Sequence, residues 1–301
     1  MLLKVAPPFD FHLSASVFSQ WDKQIRHYEN GKYWQVVDSG DKLILVEVEA
    51  SGSVDEPSLS IALRSNGEVS SSELKKVEEA IAKIFNLGLD LKQFYQDIRG
   101  DEVILGLVPH LRGLKITNTL TIFEALIHSI IQQQISLNVS RILEENLIKA
   151  FGSVLKLDEG LYYAFPTPQQ LAQAEVSELR RCGLSLKKAE YISEIARLVS
   201  SGRLDLDKFE EYEDVEEVIT ELDRIKGVGV WTAELTLLRG MQRFEVIPAD
   251  DLGVRRVISS YYAHGAKVSG EEVRRIAQRW GRWKGLAIFY LIMAQRLGLK
   301  V

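Results

Sequence analysis

Hydrophobic and polar positions alternate with a period of two in the first part of the chain. Two such runs, YWQVV and LILVEVEA, flank Asp38-Ser39-Gly40-Asp41, a typical hairpin turn, and LSIALR at 59–64 forms a third run. The period then becomes helical, with Ser70 and Glu73 at capping-box spacing before one apolar face made by Leu74, Val77, Ile81, Ile84 and Phe85. This pattern predicts a small α+β unit with antiparallel strands.

From about Gly113 onward, apolar residues recur at helical spacing and no strand-like alternation of any length returns. Thr167–Gln170 is typical of a helix start, and Cys182-Gly183 of a helix end. The pattern predicts helices over 121–151, 187–200, 211–223, 231–241, 251–262 and 270–296. We therefore expect the rest of the chain to be all-α.

The length of 301 residues is enough for two domains. We expect an α+β domain over 1–112 and an all-α domain over 113–301. The second would contain a helical subdomain at about 113–221, a hairpin segment at about 222–262 and C-terminal helices at about 270–296.

The composition excludes several classes of protein. Cys182 is the single cysteine, so an internal disulfide, a four-cysteine zinc site and an iron–sulfur cluster within the chain are excluded. The five histidines show no metal-ligand spacing, and the longest apolar run, 285–294, is about half a membrane span. No signal sequence is evident, and we expect an intracellular, cytoplasmic protein with no membrane partner.

Charge is distributed unevenly. The formal net charge is −5, which by itself disfavours a nucleic-acid partner. However, residues 224–301 contain 14 Lys and Arg against 6 Asp and Glu, a net of +8, whereas the preceding 223 residues contain 23 against 36. This basic excess is compatible with nucleic-acid binding and equally with a solvated helical face.

The basic segment contains a glycine hairpin, Gly227-Val228-Gly229, which opens a helix. Glycine permits a tight turn and the close approach of a ligand, and the free N–H groups of the helix start favour an anion. We expect a DNA phosphate to bind at Gly227, Val228, Gly229 and Thr232. The alternative for the glycines alone is a simple tight turn. Asp250-Asp251 follows about twenty residues later.

Together these motifs resemble a known family. IKGVGVWTAELTLLRG, IPADDLGVRR, IIQQQIS at 130–136, FPTP at 165–168 and GLSLKKA at 183–189 are similar to the helix-hairpin-helix (HhH-GPD) DNA glycosylase superfamily, and look most like 3-methyladenine DNA glycosylase II. The resemblance implies an N-terminal antiparallel sheet domain like that of the TATA-binding protein, then an all-α domain with a central cleft. It also implies a monomer that acts on double-stranded DNA containing a damaged base.

The resemblance assigns the chemistry to two residues. Asp251 matches the catalytic carboxylate, with Asp250 as a rival that could instead be a helix N-cap. Trp231 lies where bifunctional relatives have a lysine whose amine forms a Schiff base and cuts the strand. The chain therefore resembles a monofunctional enzyme, which hydrolyses the N-glycosidic bond of a damaged, alkylated purine and leaves an abasic site.

The resemblance also implies how the lesion is held. Gln134 and Ile135 would fill the gap left by the flipped nucleotide, and Trp231 would face the base, with Trp283 and Tyr290 as further candidates. Where the family often has more aromatic residues, this chain has Leu235, Leu252 and Ile292. A neutral lesion such as 8-oxoguanine, uracil or hypoxanthine, or a non-catalytic DNA-binding module, therefore remains an alternative.

No cofactor is expected to be required. In the family, hairpin carbonyls can hold a monovalent cation that bridges to phosphate. The matching carbonyls for a sodium or potassium ion are those of Asp223, Ile225 and Val228.

Overall fold

The computed structural model describes residues 1–300 and begins with a five-stranded antiparallel sheet. The strands lie in the order β1-β5-β4-β3-β2, with the bounds β1 Leu2–Lys4, β2 Arg26–Glu29, β3 Lys32–Asp38, β4 Leu43–Ala50 and β5 Ser58–Ser65. The three strands predicted from the alternating pattern are confirmed as β3, β4 and β5. The short edge strands β1 and β2 were not predicted.

One face of the sheet packs on two helices, α1 (Phe11–Ala15) and α2 (Ser71–Ile84). The predicted capping box of α2 is confirmed, because Ser70 N–H donates to Glu73 Oε2 at 2.7 Å and Glu73 N–H donates to Ser70 Oγ at 3.3 Å. Val77, Ile81 and Ile84 of α2 are buried against the sheet. A separate apolar core thus forms on this face.

The other face of the sheet is covered by a hairpin that the sequence analysis missed. Its strands are β6 (Val154–Leu157) and β7 (Gly160–Tyr163), so the prediction that no strand returns after Gly113 is wrong. Leu155 packs against Val36 and Leu45 of the sheet. Each strand has only four residues, too short a run to establish a period, which explains the omission.

The remaining helices share one large apolar core. They are α3 Leu91–Asp97, α4 Glu102–Leu111, α5 Ile122–Gln132, α6 Leu137–Phe151, α7 Pro168–Gln173, α8 Val176–Arg181, α9 Leu186–Ser200, α10 Val215–Asp223, α11 Val230–Gly240, α12 Leu252–Tyr262, α13 Gly270–Ala277 and α14 Lys284–Arg296. Within residues 1–300, no helix has both the length and the apolar character that crossing a membrane requires. Helices α3 and α4 precede residue 113 but pack in this core, and the expected boundary at 112 stays a prediction.

Two segments predicted as continuous helices are interrupted. The 121–151 pattern breaks between α5 and α6, where Gln134 has a φ of +56°. The 270–296 pattern breaks between α13 and α14, where Gly281 has a φ of +53°. Both values lie in the left-handed region that a right-handed helix cannot include, so the apolar period continues while the backbone changes direction.

A buried ionic cluster joins the sheet to the helices. Arg26 of β2 donates to Glu124 Oε1 of α5 at 2.9 Å and to Glu144 Oε1 of α6 at 2.9 Å. Its guanidinium is also 3.0 Å from His128 Nε2, and it lies 3.8 Å from the centre of the Trp21 ring. Burial lowers the pKa of His128 and raises the pKa of Glu144. Glu124, His128 and Glu144 are close enough to ligate a metal, but Arg26 already supplies their positive charge.

We predict that Arg26→Met lowers the free energy of unfolding by about 3–5 kcal/mol, because it leaves buried acidic groups without their cation. The measurement is urea denaturation at pH 7. Lys23→Met is the control, since the Lys23–Glu29 pair is exposed and its loss should leave the unfolding midpoint nearly unchanged. Equal midpoints for the Arg26 and Lys23 variants would contradict this account of the cluster.

Candidate active site

The carboxylate of Asp251 is held by three N–H donors. Asp251 is the N-cap of α12, and its Oδ1 accepts from the backbone N–H of Gly253 at 2.7 Å and of Val254 at 3.1 Å. Its Oδ2 accepts from Nε1 of Trp231, on α11, at 3.1 Å. One acid thereby joins the starts of α11 and α12. These bonds fix the orientation of the carboxylate, and Oδ2 keeps a lone pair that can accept a further hydrogen bond.

Asp250 has a different environment. The hypothesis that Asp250 could be the helix N-cap is wrong, because Asp251 itself caps α12. The Asp250 side chain is 72% exposed, and its Oδ2 lies 3.8 Å from the guanidinium of Arg274. Asp250 has no hydrogen bond to Trp231, so of the two acids only Asp251 is joined to the aromatic residue.

The two glycines of the hairpin serve different purposes. Gly227 has a φ of +90°, and a Cβ there would lie 2.3 Å from the Tyr191 ring, so both conformation and packing require glycine. Gly229 is the N-cap of α11 with a φ of −105°, and a Cβ there would meet nothing within 4 Å. The α11 start is therefore open on the side from which a ligand would approach.

Thr232 was expected to contact phosphate, but the structure places it elsewhere. Its side chain is buried, and its Oγ1 accepts from Nε2 of Gln133 at 3.0 Å. The same Gln133 nitrogen donates to the Gly227 carbonyl at 2.8 Å. Thr232 therefore helps to connect the hairpin to the end of α5, and its hydroxyl does not face solvent.

The predicted cation ligands are backbone carbonyls of the hairpin. The Ile225 carbonyl accepts from the Val228 N–H at 2.9 Å, which leaves it one further lone pair. Asp223 is the last residue of α10, where carbonyls lack the regular helical partners. These groups are of the type that binds a monovalent cation.

The turn between α5 and α6 presents the predicted intercalating residues. Gln134 is exposed with a φ of +56°, and Ile135 beside it is half-buried. Ser136 then caps α6 by accepting from the Val139 N–H at 3.4 Å. A long side chain held in the left-handed region is uncommon and costs about 1–3 kcal/mol, so the surrounding contacts must fix this turn.

Lys188 and Gln133 provide those contacts. Nζ of Lys188, near the start of α9, donates to the carbonyls of Ile131 at 2.9 Å and Gln133 at 2.7 Å. Burial lowers the pKa of Lys188. The lysine satisfies two carbonyls at the end of α5 and places a positive charge at its negative pole. Neither residue was predicted, because QQQ alone is typical of a polar helix face.

Four long helices begin at this region. The Trp231–Asp251 bond joins the starts of α11 and α12, Gln133 joins the turn before α6 to the hairpin before α11, and Lys188 joins the start of α9 to the end of α5. Each of the four starts with an exposed aliphatic residue, and these are Leu137, Leu186, Val230 and Leu252. The start of α11 has no side-chain cap, so its N–H groups, with aliphatic side chains nearby, suit a ligand that combines anionic and apolar parts.

The aromatic contacts of Trp283 and Tyr290 are with rings other than Trp231. Trp283 is buried, and its Nε1 donates to Asp97 Oδ2 at 2.8 Å. Tyr290 is fully buried, and its hydroxyl donates to the Leu114 carbonyl at 3.0 Å. Both rings also pack edge-on against Phe94. Because their polar atoms and ring faces are engaged in the core, we leave both out of the base pocket proposed below.

Arg239 is another residue that the sequence analysis missed. Its guanidinium donates to Gln132 Oε1 at 2.8 Å, at the end of α5. Burial lowers the pKa of Arg239, whereas the negative charges of Glu144 and Asp251 raise it. A buried cation thus lies between the ionic cluster and Asp251. The sequence offers no signal for it, since its hydrogen-bond partner Gln132 is 107 residues away along the chain.

The sequence is similar to that of known DNA repair proteins. The family model described as "HhH-GPD superfamily base excision DNA repair protein" matches residues 127–282. DNA-3-methyladenine glycosylase of Bacillus subtilis is 30% identical over 219 residues, which is 72% of this chain and 71% of that protein.

Solved structures agree over the full length. 3-Methyladenine DNA glycosylase from Archaeoglobus fulgidus superposes with a TM-score of 0.87 at 29% identity, and the match covers 100% of both chains. The 8-oxoguanine glycosylase/lyase of Clostridium acetobutylicum, at 22% identity, a TM-score of 0.78 and 99% coverage of both chains, shares the fold. The chain belongs to the HhH-GPD superfamily of base excision DNA repair proteins.

Proposed function

We propose that the protein is a monofunctional DNA glycosylase that removes alkylated purines and leaves an abasic site. The observation that carries the proposal is the hydrogen bond between Trp231 and Asp251 at a face where four helices begin. It places an aromatic ring and a carboxylate side by side. The names of the similar proteins from Bacillus subtilis and Archaeoglobus fulgidus support the same substrate class.

Access to the base requires that the nucleotide leave the helical stack, at a cost of a few kcal/mol that is smaller for a damaged base. The open start of α11 at Gly229 would bind the DNA backbone through its N–H groups. Gln134 and Ile135 would enter the gap, where the amide can pair with the orphaned base and the aliphatic chain fills the space. The hydrogen bonds of Gln133 to Gly227 and Thr232 would hold the hairpin and the 134–135 turn in a fixed relative position on the DNA.

Asp251 would act on the sugar. As the C1′–N bond breaks, its electron pair moves to the base and positive charge develops on the sugar. A carboxylate close to C1′ stabilises that cation and orients the attacking water, which transfers a proton to it as the new C1′–O bond forms. The two backbone N–H groups on Oδ1 keep the carboxylate in place, while Oδ2 is the oxygen directed towards Trp231.

Trp231 would select the substrate. An alkylated purine carries a positive charge, and an indole face attracts a cation by about 0.5–2 kcal/mol. The indole N–H is engaged with Asp251, so the plane of the ring is fixed before the base arrives. A charged base also departs readily once the bond weakens, so its departure does not need protonation by an acid.

Strand cleavage is not expected, because Schiff-base chemistry needs an unprotonated, accessible amine. Trp231 lies where bifunctional relatives have a lysine. Two lysines have a lowered pKa, Lys188 and Lys115, and burial lowers that of Lys115 to about 8. Both amines already donate to backbone carbonyls, Lys188 to those of Ile131 and Gln133 and Lys115 to that of Leu87.

A sodium or potassium ion at the hairpin is part of the proposal. The carbonyls of Asp223, Ile225 and Val228 would hold it, and it would supply positive charge between the hairpin and a DNA phosphate. The spare lone pair on Ile225 is compatible with this role.

Asp251→Asn should reduce the release of methylated purines from alkylated duplex DNA by at least about 10²-fold, because the charge that stabilises the sugar cation is lost. Asparagine retains the oxygen that caps α12, so the fold and DNA affinity should persist. Glu194→Gln, at an exposed acid of α9, is the matched control for loss of one negative charge and should keep the activity. Undiminished release by the Asp251 variant would remove this acid from the mechanism.

The wild-type protein should cut DNA only after added alkali. Incubation with lesion-containing duplex and borohydride should give no covalent protein–DNA adduct, because Trp231 occupies the position of the lysine that forms the Schiff base in bifunctional relatives. Alkali treatment of the same samples serves as the control that abasic sites have formed. A borohydride-trapped adduct would show lyase chemistry and contradict the assignment of Trp231.

A panel of duplexes with single lesions should rank cationic purines, such as 7-methylguanine, ahead of hypoxanthine, uracil and 8-oxoguanine in single-turnover rate, because Trp231 favours a positively charged base. Preferential release of a neutral base would contradict the preference for cationic purines and would identify that base as the substrate. Salt-dependent binding of duplex without release of any base would instead favour a non-catalytic DNA-binding module.

A further inference from the structure

The segment that carries Asp251 is a loop between α11 and α12. It contains two tight turns, in which the Ala249 N–H donates to the Ile247 carbonyl at 2.7 Å and the Asp251 N–H donates to the Pro248 carbonyl at 3.0 Å. Such turns have few internal bonds to fix them. The side chains of Ile247 and Ala249 are buried, and the contacts that Ile247 and Asp250 make with neighbouring helices further position the loop before Asp251.

Arg274 of α13 contacts both of these residues. Its NH1 donates to the Ile247 carbonyl at 3.4 Å, and its NH2 lies 3.8 Å from Asp250 Oδ2. Its strongest bond, at 2.8 Å, is from NH1 to Oε1 of Glu234 on α11. One guanidinium thus connects α13, α11 and the loop.

Glu234 anchors the Arg274 side chain to α11. It follows Trp231 by three residues on α11, so both side chains lie on neighbouring turns of one helix. Its side chain is 3% exposed, and Arg274 is the cation that pairs with it. A buried carboxylate without its cation is costly, so this pair should resist separation.

The start of α13 also packs directly on Asp250. A Cβ added to Gly270, the first residue of α13, would lie 2.1 Å from Asp250 Oδ1. The absence of a side chain at Gly270 lets the helix approach the loop closely. Asp250 is therefore an anchoring contact between the loop and α13.

We propose that Arg274, held by Glu234, is a positioning residue that fixes the 247–250 turns and thereby aims the Asp251 carboxylate at the sugar. This inference rests on the proposed glycosylase function. Neither Arg274 nor Glu234 touches the reacting atoms. Without the connection, Asp251 keeps its cap on α12 and Ile247 stays buried, but the 247–250 turns lose the contacts of Arg274. A displacement of about 1 Å at a reacting group can cost about 100-fold in rate.

The connection has a pH dependence. Burial raises the pKa of Glu234 to about 7, and Arg274 opposes that rise. The charged groups that face Glu234 are Arg274 from α13, Asp250 from the loop and Glu216 from α10. Above about pH 7 the glutamate is ionised and holds Arg274. Below that pH it becomes protonated and the pairing weakens, so the wild-type rate should fall as pH falls through about 7.

The experiment measures single-turnover base release and DNA affinity between pH 5.5 and 9 for wild type, Arg274→Met, Arg274→Lys and Glu234→Gln. Arg275→Met, on the same helix and exposed, is the matched control. We expect Arg274→Met to lose about 10- to 100-fold in rate at pH 8 with Kd nearly unchanged, and Arg274→Lys to recover part of the loss. Glu234→Gln should have a low rate without the wild-type decline near pH 7.

Amide hydrogen exchange of residues 247–251 measures local opening of the loop independently of base release. Exchange should be faster in Arg274→Met than in Arg275→Met. Equal rates and equal exchange in these two variants would overturn the positioning role while leaving the glycosylase function intact. A decline near pH 7 that persists in Glu234→Gln would overturn the role of Glu234. A wild-type protein that releases no base from any lesion would overturn the proposed function and, with it, the catalytic consequence of this connection.

Discussion

The hydrogen bond from the Trp231 indole to the Asp251 carboxylate is the interaction on which the candidate site depends. It joins the starts of α11 and α12, which are separated by a loop with little regular structure. The bond fixes the acid and the aromatic ring together, so the proposed charge stabilisation and the proposed base recognition share one geometry. Because the acid is also the cap of α12, the residue proposed for catalysis stabilises the element that presents it.

Three arginines stabilise the elements around this site. Arg26 joins the sheet to α5 and α6, Arg239 holds the end of α5, and Arg274 holds the loop before Asp251. Arg26 and Arg274 pair with buried carboxylates that would be costly to leave without a cation, so both keep their neighbours in a single arrangement. The N-terminal sheet thereby contributes to the position of α5, whose end precedes the turn of Gln134 and Ile135.

The sequence predicted the elements with long, regular patterns and the residues within recognisable motifs. Strands β3 to β5, the capping box at Ser70 and the start of α7 at Thr167 needed only local information. Likewise, the glycine hairpin and Asp251 lie in one continuous stretch. The four-residue strands β6 and β7 were missed because a period cannot be read from so few positions. The helix break at Gly281 was missed because its apolar spacing continues across the break.

Pairings between distant residues could not be predicted from one sequence. Gln133 was indistinguishable from its neighbours in QQQ, yet the structure alone assigns it the bonds to Gly227 and Thr232. Trp283 and Tyr290 were candidates because they are aromatic, but their hydrogen bonds to Asp97 and Leu114 place them in the core. Residue type suggests what a side chain can do, whereas burial and partners decide what it does.

The most direct test of the account is a crystal structure of the protein bound to duplex DNA that contains a cationic abasic analogue with nitrogen in place of C1′. The account predicts that this nitrogen lies within about 4 Å of the Asp251 carboxylate, beside the Trp231 ring, with Gln134 and Ile135 in the vacated stack. An analogue bound against Asp250, or away from Trp231, would contradict the central claim.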